Sequence, residues 1–356
     1  MTPCNMSMPE STQALITGAN GFVGRALCAE LLRQGWRVRA AVRSSAKMPE
    51  EVEVVAVGDI DGDTNWADAL RGVEVVFHLA ARVHVMKDTA ADPLAEFLKV
   101  NLQGTENLAH QAVRAGVKRL VYVSSIKVNG ECTANISFSN TLSPNPSPLE
   151  GEGNKVGKRK MKSVFTEFDG PDPQDAYGIS KWQAEQALRR IAQDTGLEVV
   201  MVRPPLVYGP GVKGNFISLL AAINKGIPLP LSGANNARSL VYAGNLVDAL
   251  IACATHPAAA GQTYLVSDGE DVSTALLAEK IAGALGRSSR SFYFPPGLLR
   301  VVASLLGRSV QIDRLFGSLR VSDAKLRSEL GWTPPYTLEQ GLRATADWYS
   351  ALASEQ

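Results

Sequence analysis

The amino-acid sequence predicts an α/β protein, a doubly wound parallel sheet followed by a smaller C-terminal α/β lobe. Three observations carry this. Ala14-Leu15-Ile16-Thr17 is an apolar run of strand type, and it passes through three evenly spaced glycines into Arg25 to Gln34, whose apolar residues have helical spacing. Strand-like and helix-like segments then alternate as far as Arg203, an order that right-handed crossovers convert into a parallel sheet. The chain has 356 residues, 45% of them hydrophobic, with 36 Lys and Arg against 35 Asp and Glu. That is the length of one large domain or two lobes, with the composition of a globular chain.

Gly18, Gly21 and Gly24 separate the first strand from the first helix. Glycine removes the Cβ where a backbone turns tightly or another group approaches closely. A helix N-terminus offers unpaired N–H groups and a positive dipole end to an anion. Together they predict a pyrophosphate-binding turn, hence a dinucleotide cofactor. The second strand, Arg37–Arg43, ends without the acidic residue that would bind an adenosine ribose. An arginine there can pair with a 2′-phosphate, so Arg43 points to NADP(H) ahead of NAD(H). Val52–Val57 is the third strand, followed by Asp59-Ile60. Val73–Leu79 is the fourth, and Ala80 and Ala81, which follow Leu79 at its end, are small enough for a cofactor to lie against the backbone. Pro93–Ala115 is predicted as one helix, Arg119–Ser124 as the fifth strand, Ser180–Thr195 as a helix and Glu198–Arg203 as the sixth strand.

The fifth strand runs out into Ser124-Ser125, and far downstream Tyr177 and Lys181 open a helix at i, i+4, on one face. An ammonium beside a phenol stabilises its anion and lowers its pKa from about 10 toward the working pH. The expectation is a general acid/base, Tyr177, with Lys181 as its partner and Ser125 orienting a substrate oxygen.

Other chemistries find little support. A near-neutral charge gives no basic footprint for nucleic acid. Cys4, Cys28, Cys132 and Cys253 have neither a zinc spacing nor the density of a disulfide framework, and His78, His84, His110 and His256 have no ligand spacing, so no metal is expected. The N-terminus lacks a signal-peptide pattern and no apolar stretch is long enough to span a membrane. A cytoplasmic, reducing compartment is the expectation. Ser139–Ser163 is rich in Pro, Gly and polar residues and carries Lys155, Lys158, Arg159, Lys160 and Lys162. Such a segment cannot bury enough surface to fold alone, and a mobile surface loop near the mouth of the site is expected. The nucleotide domain is placed at residues 12–205, with a return segment at 239–254, and the substrate lobe at 206–356. Pro295–Leu306 reads as a short apolar helix.

The ordered set TGANGFVG (Thr17–Gly24), GDI (Gly58–Ile60), HLAA (His78–Ala81), VNLQGTENL (Val100–Leu108), VYVSSIKVNG (Val121–Gly130), YGISK (Tyr177–Lys181) and RPPLVYGPG (Arg203–Gly211) resembles the extended short-chain dehydrogenase/reductase family, in its nucleotide-sugar epimerase, dehydratase and reductase branch. ARSLVYAGNLVDA (Ala237–Ala249) and LGWTP (Leu330–Pro334) extend the likeness over nearly the whole chain. The resemblance implies a Rossmann-like sheet in which Gly18, Gly21 and Gly24 meet the pyrophosphate, Phe22-Val23 cover it, Asp59-Ile60 bind adenine, and Leu79, Ala80, Ala81 and Asn101 line the cofactor. It implies that Tyr177 is the acid/base, Lys181 the ribose-binding partner and Ser125, by its offset from Gly130, the hydroxyl donor. Arg238 matches the arginine on the nucleotide-sugar diphosphate. With Arg238, the polar Lys213-Gly214-Asn215 loop favours a diphosphate ligand, and Asn215 is counted among the substrate contacts. Relatives dimerise through two helices of the nucleotide lobe, so a homodimer is expected. Asn129, Leu206 and Asn245 depart from frequent tyrosine, asparagine and aspartate.

Three reactions share such a site. A 4,6-dehydratase needs an acidic pair directly after the active-site hydroxyl, where this chain has Ile126 and Lys127. With NADPH favoured at Arg43, the leading expectation is reduction of a UDP-4-keto-6-deoxy-HexNAc. A UDP-glucose or UDP-N-acetylhexosamine 4-epimerase is the alternative. A steroid- or flavonoid-type ketone reductase is a third, and a non-catalytic NADP sensor is disfavoured by the presence of Tyr177 and Lys181.

Overall fold

The computed structural model describes residues 12–83, 92–133, 162–295, 297–299 and 315–354. Cys4, His84, most of Ser139–Ser163 and most of Pro295–Leu306 lie outside the described residues.

Seven strands form the main sheet: β1 (Gln13–Thr17), β2 (Arg37–Val42), β3 (Val52–Ala56), β4 (Val75–His78), β5 (Arg119–Val123), β6 (Glu198–Arg203) and, far later, β9 (Thr263–Leu265). Their order is β3-β2-β1-β4-β5-β6-β9, and every pairing is parallel. This is the doubly wound architecture that the sequence predicts. All of β1 is buried, as expected for a strand covered on both faces. One face packs on α1 (Phe22–Arg33), through Leu27, Cys28 and Leu31, and on α7 (Ala243–Thr255), through Leu246 and Leu250. The other packs on Leu108, Ala109 and Ala112 of α4 (Gly104–Arg114) and on Ala184, Leu188 and Ile191 of α5 (Ala176–Thr195). A short helix α2 (Ala67–Leu70) lies before β4.

Two helices differ from their predicted form. α1 starts at Phe22, inside the glycine motif, because Gly21 is its extended N-cap. The single helix expected over Pro93–Ala115 is α3 (Pro93–Leu98), a π-helical turn (Lys99–Gln103) and then α4. The wider turn re-aims the side chains on it, and Asn101 within it is buried.

The smaller lobe is built on a three-stranded sheet, β10 (Asp271–Val272), β8 (Arg238–Tyr242) and β7 (Leu206–Tyr208), with β7 parallel and β10 antiparallel to β8. Helices α6 (Asn215–Asn224), α8 (Thr274–Ala284) and α10 (Leu338–Ser354) cover it, through Phe216, Leu220, Leu277, Ile281, Leu338 and Leu342. The chain returns to the main sheet more widely than 239–254. β8 stays in the small sheet and α7 crosses back. β9 then extends the main sheet, and α9 (Ala324–Leu330) packs beside β9. Three residues, Thr263-Tyr264-Leu265, are too short a run to stand out as a strand in the sequence.

Residues 317–322 form a zipper between the small sheet and the loop after β5. On one edge Ser239 N–H donates to Leu319 O at 2.8 Å and Leu319 N–H to Ala237 O at 2.9 Å. On the other edge Thr133 N–H donates to Ser318 O at 2.9 Å and Phe165 N–H to Arg320 O at 2.8 Å.

Candidate active site

The sheet order reverses at β1, and open sheets of this kind receive ligands in the crevice at the carboxyl ends of the strands beside that point. Gly18 closes β1 at φ 69°, and a Cβ on it would lie 2.9 Å from the Ala80 nitrogen. A Cβ on Gly24 would lie 2.2 Å from the Gly18 oxygen, and one on Gly21 3.0 Å from the same atom. The turn is folded onto itself, onto α1 and onto the end of β4 with no room for side chains. α1 then opens with no side-chain cap and no acidic residue in its first turn, leaving N–H groups and the positive dipole end to an anion. The cradle fits the pyrophosphate of a dinucleotide. Val23 packs into the core, whereas Phe22 reaches the smaller lobe and lies against the Gly209–Gly211 turn.

Beyond β2 and β3 the structure brings Arg43 and Asp59 together, Nε to Oδ1 at 2.8 Å, both about 80% exposed. The absence of an acid at the end of the second strand is therefore made good from the end of the third. Ile60 packs onto the start of α4, where a Cβ on Gly104 would lie 2.6 Å from its Cγ2. Leu79 packs on the core, and Ala80 and Ala81 after it are half-buried.

Ser124 and Ser125 send their hydroxyls in different directions. Ser124 donates to the buried Glu185 carboxylate at 2.6 Å. Ser125 caps a 3₁₀ turn (Ile126–Val128), accepting Lys127 N–H at 3.2 Å, and its hydroxyl bonds the Tyr177 phenol. Tyr177 stands in the first turn of α5, which Asp175 caps through Gly178 N–H at 2.8 Å. Its ring meets Phe97 edge-on, with centroids 6.2 Å apart. One turn on, the buried Lys181 donates from Nζ to the Val123 carbonyl at 2.8 Å and stands 4.4 Å from the centre of the Tyr122 ring.

Burial pushes Tyr177 up to about 12, the Ser125 bond opposing it and the Asp175 charge adding to it. Burial also brings Lys181 down to about 7, against the pull of Glu185. This differs from the phenol acidified by its neighbour that the i, i+4 spacing predicts. The ammonium is engaged with Val123 and Tyr122, and burial disfavours the charged form of both groups.

A chain of hydrogen bonds runs behind the site. Ala80 N–H donates to Thr17 Oγ1 at 3.1 Å, and the Thr17 hydroxyl donates to His78 Nδ1 at 2.7 Å. The Thr105 hydroxyl spends its one proton on the Asn101 carbonyl at 2.7 Å, so His78 Nε2–H donates to Thr105 Oγ1 at 2.8 Å. Asn101 Nδ2 donates to Ser180 Oγ at 2.9 Å and to Arg82 O at 3.0 Å, and Ser180 donates to the Tyr177 carbonyl at 2.8 Å. Burial, with the Lys181 charge adding, lowers His78 to about 3, so the ring is neutral and its tautomer is fixed. Asn101 thus joins the end of β4 to the helix of Tyr177.

A second network fixes the same helix. Glu185 is fully buried and accepts Arg203 through Nε at 2.8 Å and Nη2 at 2.5 Å, and Arg189 at 3.1 Å. Arg203 Nη1 donates to Asn129 Oδ1 at 3.0 Å, which gives the departure at Asn129 a place in the core. Sequence reasoning assigned no role to Thr17, Thr105, Ser180 or Glu185. Glu185 was within reach: Tyr177, Lys181 and Glu185 at i, i+4, i+8 lie on one helix face.

On the substrate side, Arg238 opens β8 and donates from Nη1 to Gly317 O at 3.0 Å. Asn215 is exposed at the start of α6.

The chain matches the NAD dependent epimerase/dehydratase family over residues 14–267. It is 42% identical over 341 residues to a UDP-glucose 4-epimerase of Vibrio cholerae, covering 95% of each chain. It is 26% identical to a 3-beta-hydroxysteroid dehydrogenase of Mycolicibacterium neoaurum, over 96% of this chain and 92% of that one. The fold is similar to MoeE5 in complex with UDP-glucuronic acid and NAD, at a TM-score of 0.71 and 26% identity, over 96% of this chain and 99% of the other.

Proposed function

The chain belongs to the NAD dependent epimerase/dehydratase family of enzymes, and from that premise we propose that it is a nucleotide-sugar 4-epimerase acting on a UDP-hexose or UDP-N-acetylhexosamine with NAD. The observation that carries this is the 42% identity to a UDP-glucose 4-epimerase over 95% of both chains. Reduction with NADPH, the leading expectation from sequence, leaned on the lack of an acidic residue at the end of the second strand. With Asp59 2.8 Å from the Arg43 guanidinium, a 2′-phosphate would meet a negative charge as well as a positive one, and NAD is favoured.

The chemistry the dinucleotide supplies when bound is reversible hydride acceptance at carbon 4 of the sugar. Tyr177 acts in its phenolate form, which a pKa raised to about 12 makes the minor form near neutrality: the phenolate takes the proton of the 4-hydroxyl, and the phenol returns it after the ketose has turned its other face. Ser125 receives the Lys127 N–H, which leaves its own proton for the phenol or the sugar oxygen. Lys181 would hold the cofactor ribose, and Arg238 would hold the diphosphate through a guanidinium fork. The same reading carries a homodimer through two helices of the nucleotide lobe.

The test is to purify the protein, extract and identify any bound dinucleotide, and incubate it with UDP-glucose and UDP-N-acetylglucosamine without added cofactor. Interconversion with the galacto epimer, followed by NMR, is the expected outcome. No interconversion, with NADPH consumed only when a UDP-4-ketosugar is supplied, would overturn it in favour of reduction.

A further inference from the structure

We propose that Lys127 is a positioning residue that clamps the turn carrying Ser125 to the start of the helix carrying Tyr177 and offsets the charge of Asp175 beside the phenol. The inference rests on Tyr177 being the acid/base of the proposed reaction. In the sequence Lys127 serves only to argue against a dehydratase. The structure gives it three links. Its backbone N–H donates to Ser125 Oγ at 3.2 Å, so it fixes the acceptor side of the hydroxyl that bonds Tyr177. Its Nζ contacts the Asp175 carboxylate directly and Glu131 Oε1 at 3.1 Å, with its side chain only 19% exposed. Its carbonyl abuts α5 so closely that a Cβ on Gly178 would lie 3.0 Å from it.

Asp175 in turn uses Oδ1 to cap α5 at Gly178 N–H, two residues from Tyr177, and its charge acts on the phenol. The clamp therefore ties geometry and charge together. Among the described residues, the groups about the phenol include Tyr122 on β5, Phe97 on α3 with the Arg82 guanidinium 5.5 Å from the centre of its ring, and Lys181 on α5 itself. None of these lies between Lys127 and Asp175.

The experiment measures kcat and KM against pH for wild type, Lys127→Met, Lys127→Arg, Asp175→Asn and the double variant Lys127→Met/Asp175→Asn. Asparagine retains the helix cap, so Asp175→Asn isolates charge. Lys127→Met should move the ascending limb of kcat to higher pH by about half a unit to one unit, since an uncompensated anion disfavours the phenolate. KM should change by less than about threefold while kcat near neutrality falls by up to about tenfold, as one pH unit is one decade. Lys127→Arg should restore the limb, Asp175→Asn should move it to lower pH, and the double variant should return it toward wild type. A loss that is the same at every pH, an unmoved limb in Lys127→Met, or failure of arginine to rescue would overturn the clamp. The near-ultraviolet tyrosinate titration of each variant, with a Tyr177→Phe background subtracted, follows the same ionisation without turnover. A protein that shifts there yet converts no UDP-sugar keeps the clamp and loses the epimerase reading.

Discussion

His78 shows what a single side chain contributes when its surroundings fix its charge. Both ring nitrogens are engaged, Nδ1 by Thr17 and Nε2 by Thr105, and burial holds the pKa near 3 against an ordinary 6.5. In the unfolded chain the imidazole takes up a proton below about 6.5, while in the folded chain it stays neutral. Its folded pKa is lowered, so the stability it contributes is present above 6.5 and is lost as pH falls from there toward 3. The slope from one such group is about 1.4 kcal/mol per pH unit. His78→Asn keeps an acceptor for Thr17 and removes the titration. Urea unfolding from neutral pH to about pH 5 should show a variant less stable at neutrality but shallower by roughly that slope. Two parallel stability curves would show that the histidine takes up its proton equally in both states.

At the scale of elements, the glycine turn and the first helix make a prediction that separates sterics from conformation. Gly21 and Gly24 both have ordinary negative φ values, since neither is among the positive-φ glycines. They differ in space: a Cβ on Gly21 comes within 3.0 Å of the Gly18 oxygen, and one on Gly24 within 2.2 Å of it and 2.7 Å of Ala19 Cα. Gly21→Ala needs a shift of a few tenths of an ångström, whereas Gly24→Ala must push the turn off α1. Denaturant midpoints should show Gly24→Ala costing about 1–3 kcal/mol and Gly21→Ala clearly less, and equal losses would contradict the packing described. This turn was legible in the sequence because its glycines, strand and helix are consecutive, and Tyr177 with Lys181 because four residues make one helical turn. The hydrogen-bond chain was not. Thr17 and His78 are 61 residues apart, His78 and Thr105 27, and Asn101 and Ser180 79, and no local pattern marks a hydroxyl as facing an imidazole across strands. Arg43 and Asp59 illustrate the same limit from the other side. The end of β2 lacks an acid along the chain but not in space.

At the scale of the whole molecule, the two lobes are stitched at places the sequence leaves unmarked. Phe22 of the glycine turn meets the Gly209–Gly211 turn at the base of the small sheet. The extended segment 317–322 holds β8 on one edge and, on the other, the two chain ends that flank the predicted loop. Thr133 N–H bonds Ser318 O at 2.9 Å and Phe165 N–H bonds Arg320 O at 2.8 Å. Two anchors seated two residues apart on one edge of one segment are close enough for a short linker, since each residue spans up to about 3.5 Å. The anchors also carry apolar support, because Phe165 packs with Ile126, Leu319 and Val321. Replacing residues 139–161 by a short Gly/Ser linker leaves Thr133, Phe165 and the Lys162–Asp169 ion pair in place. Closing a shorter loop costs less chain entropy, by about 0.6 kcal/mol for each halving of its length. The shortened protein should melt within a few degrees of wild type, since about 1 kcal/mol moves the midpoint of a large domain by roughly 2–4 °C. A fall of more than about 10 °C, several times that scale, would mean that the removed residues bury surface the fold depends on and would refute their reading as a solvated insertion.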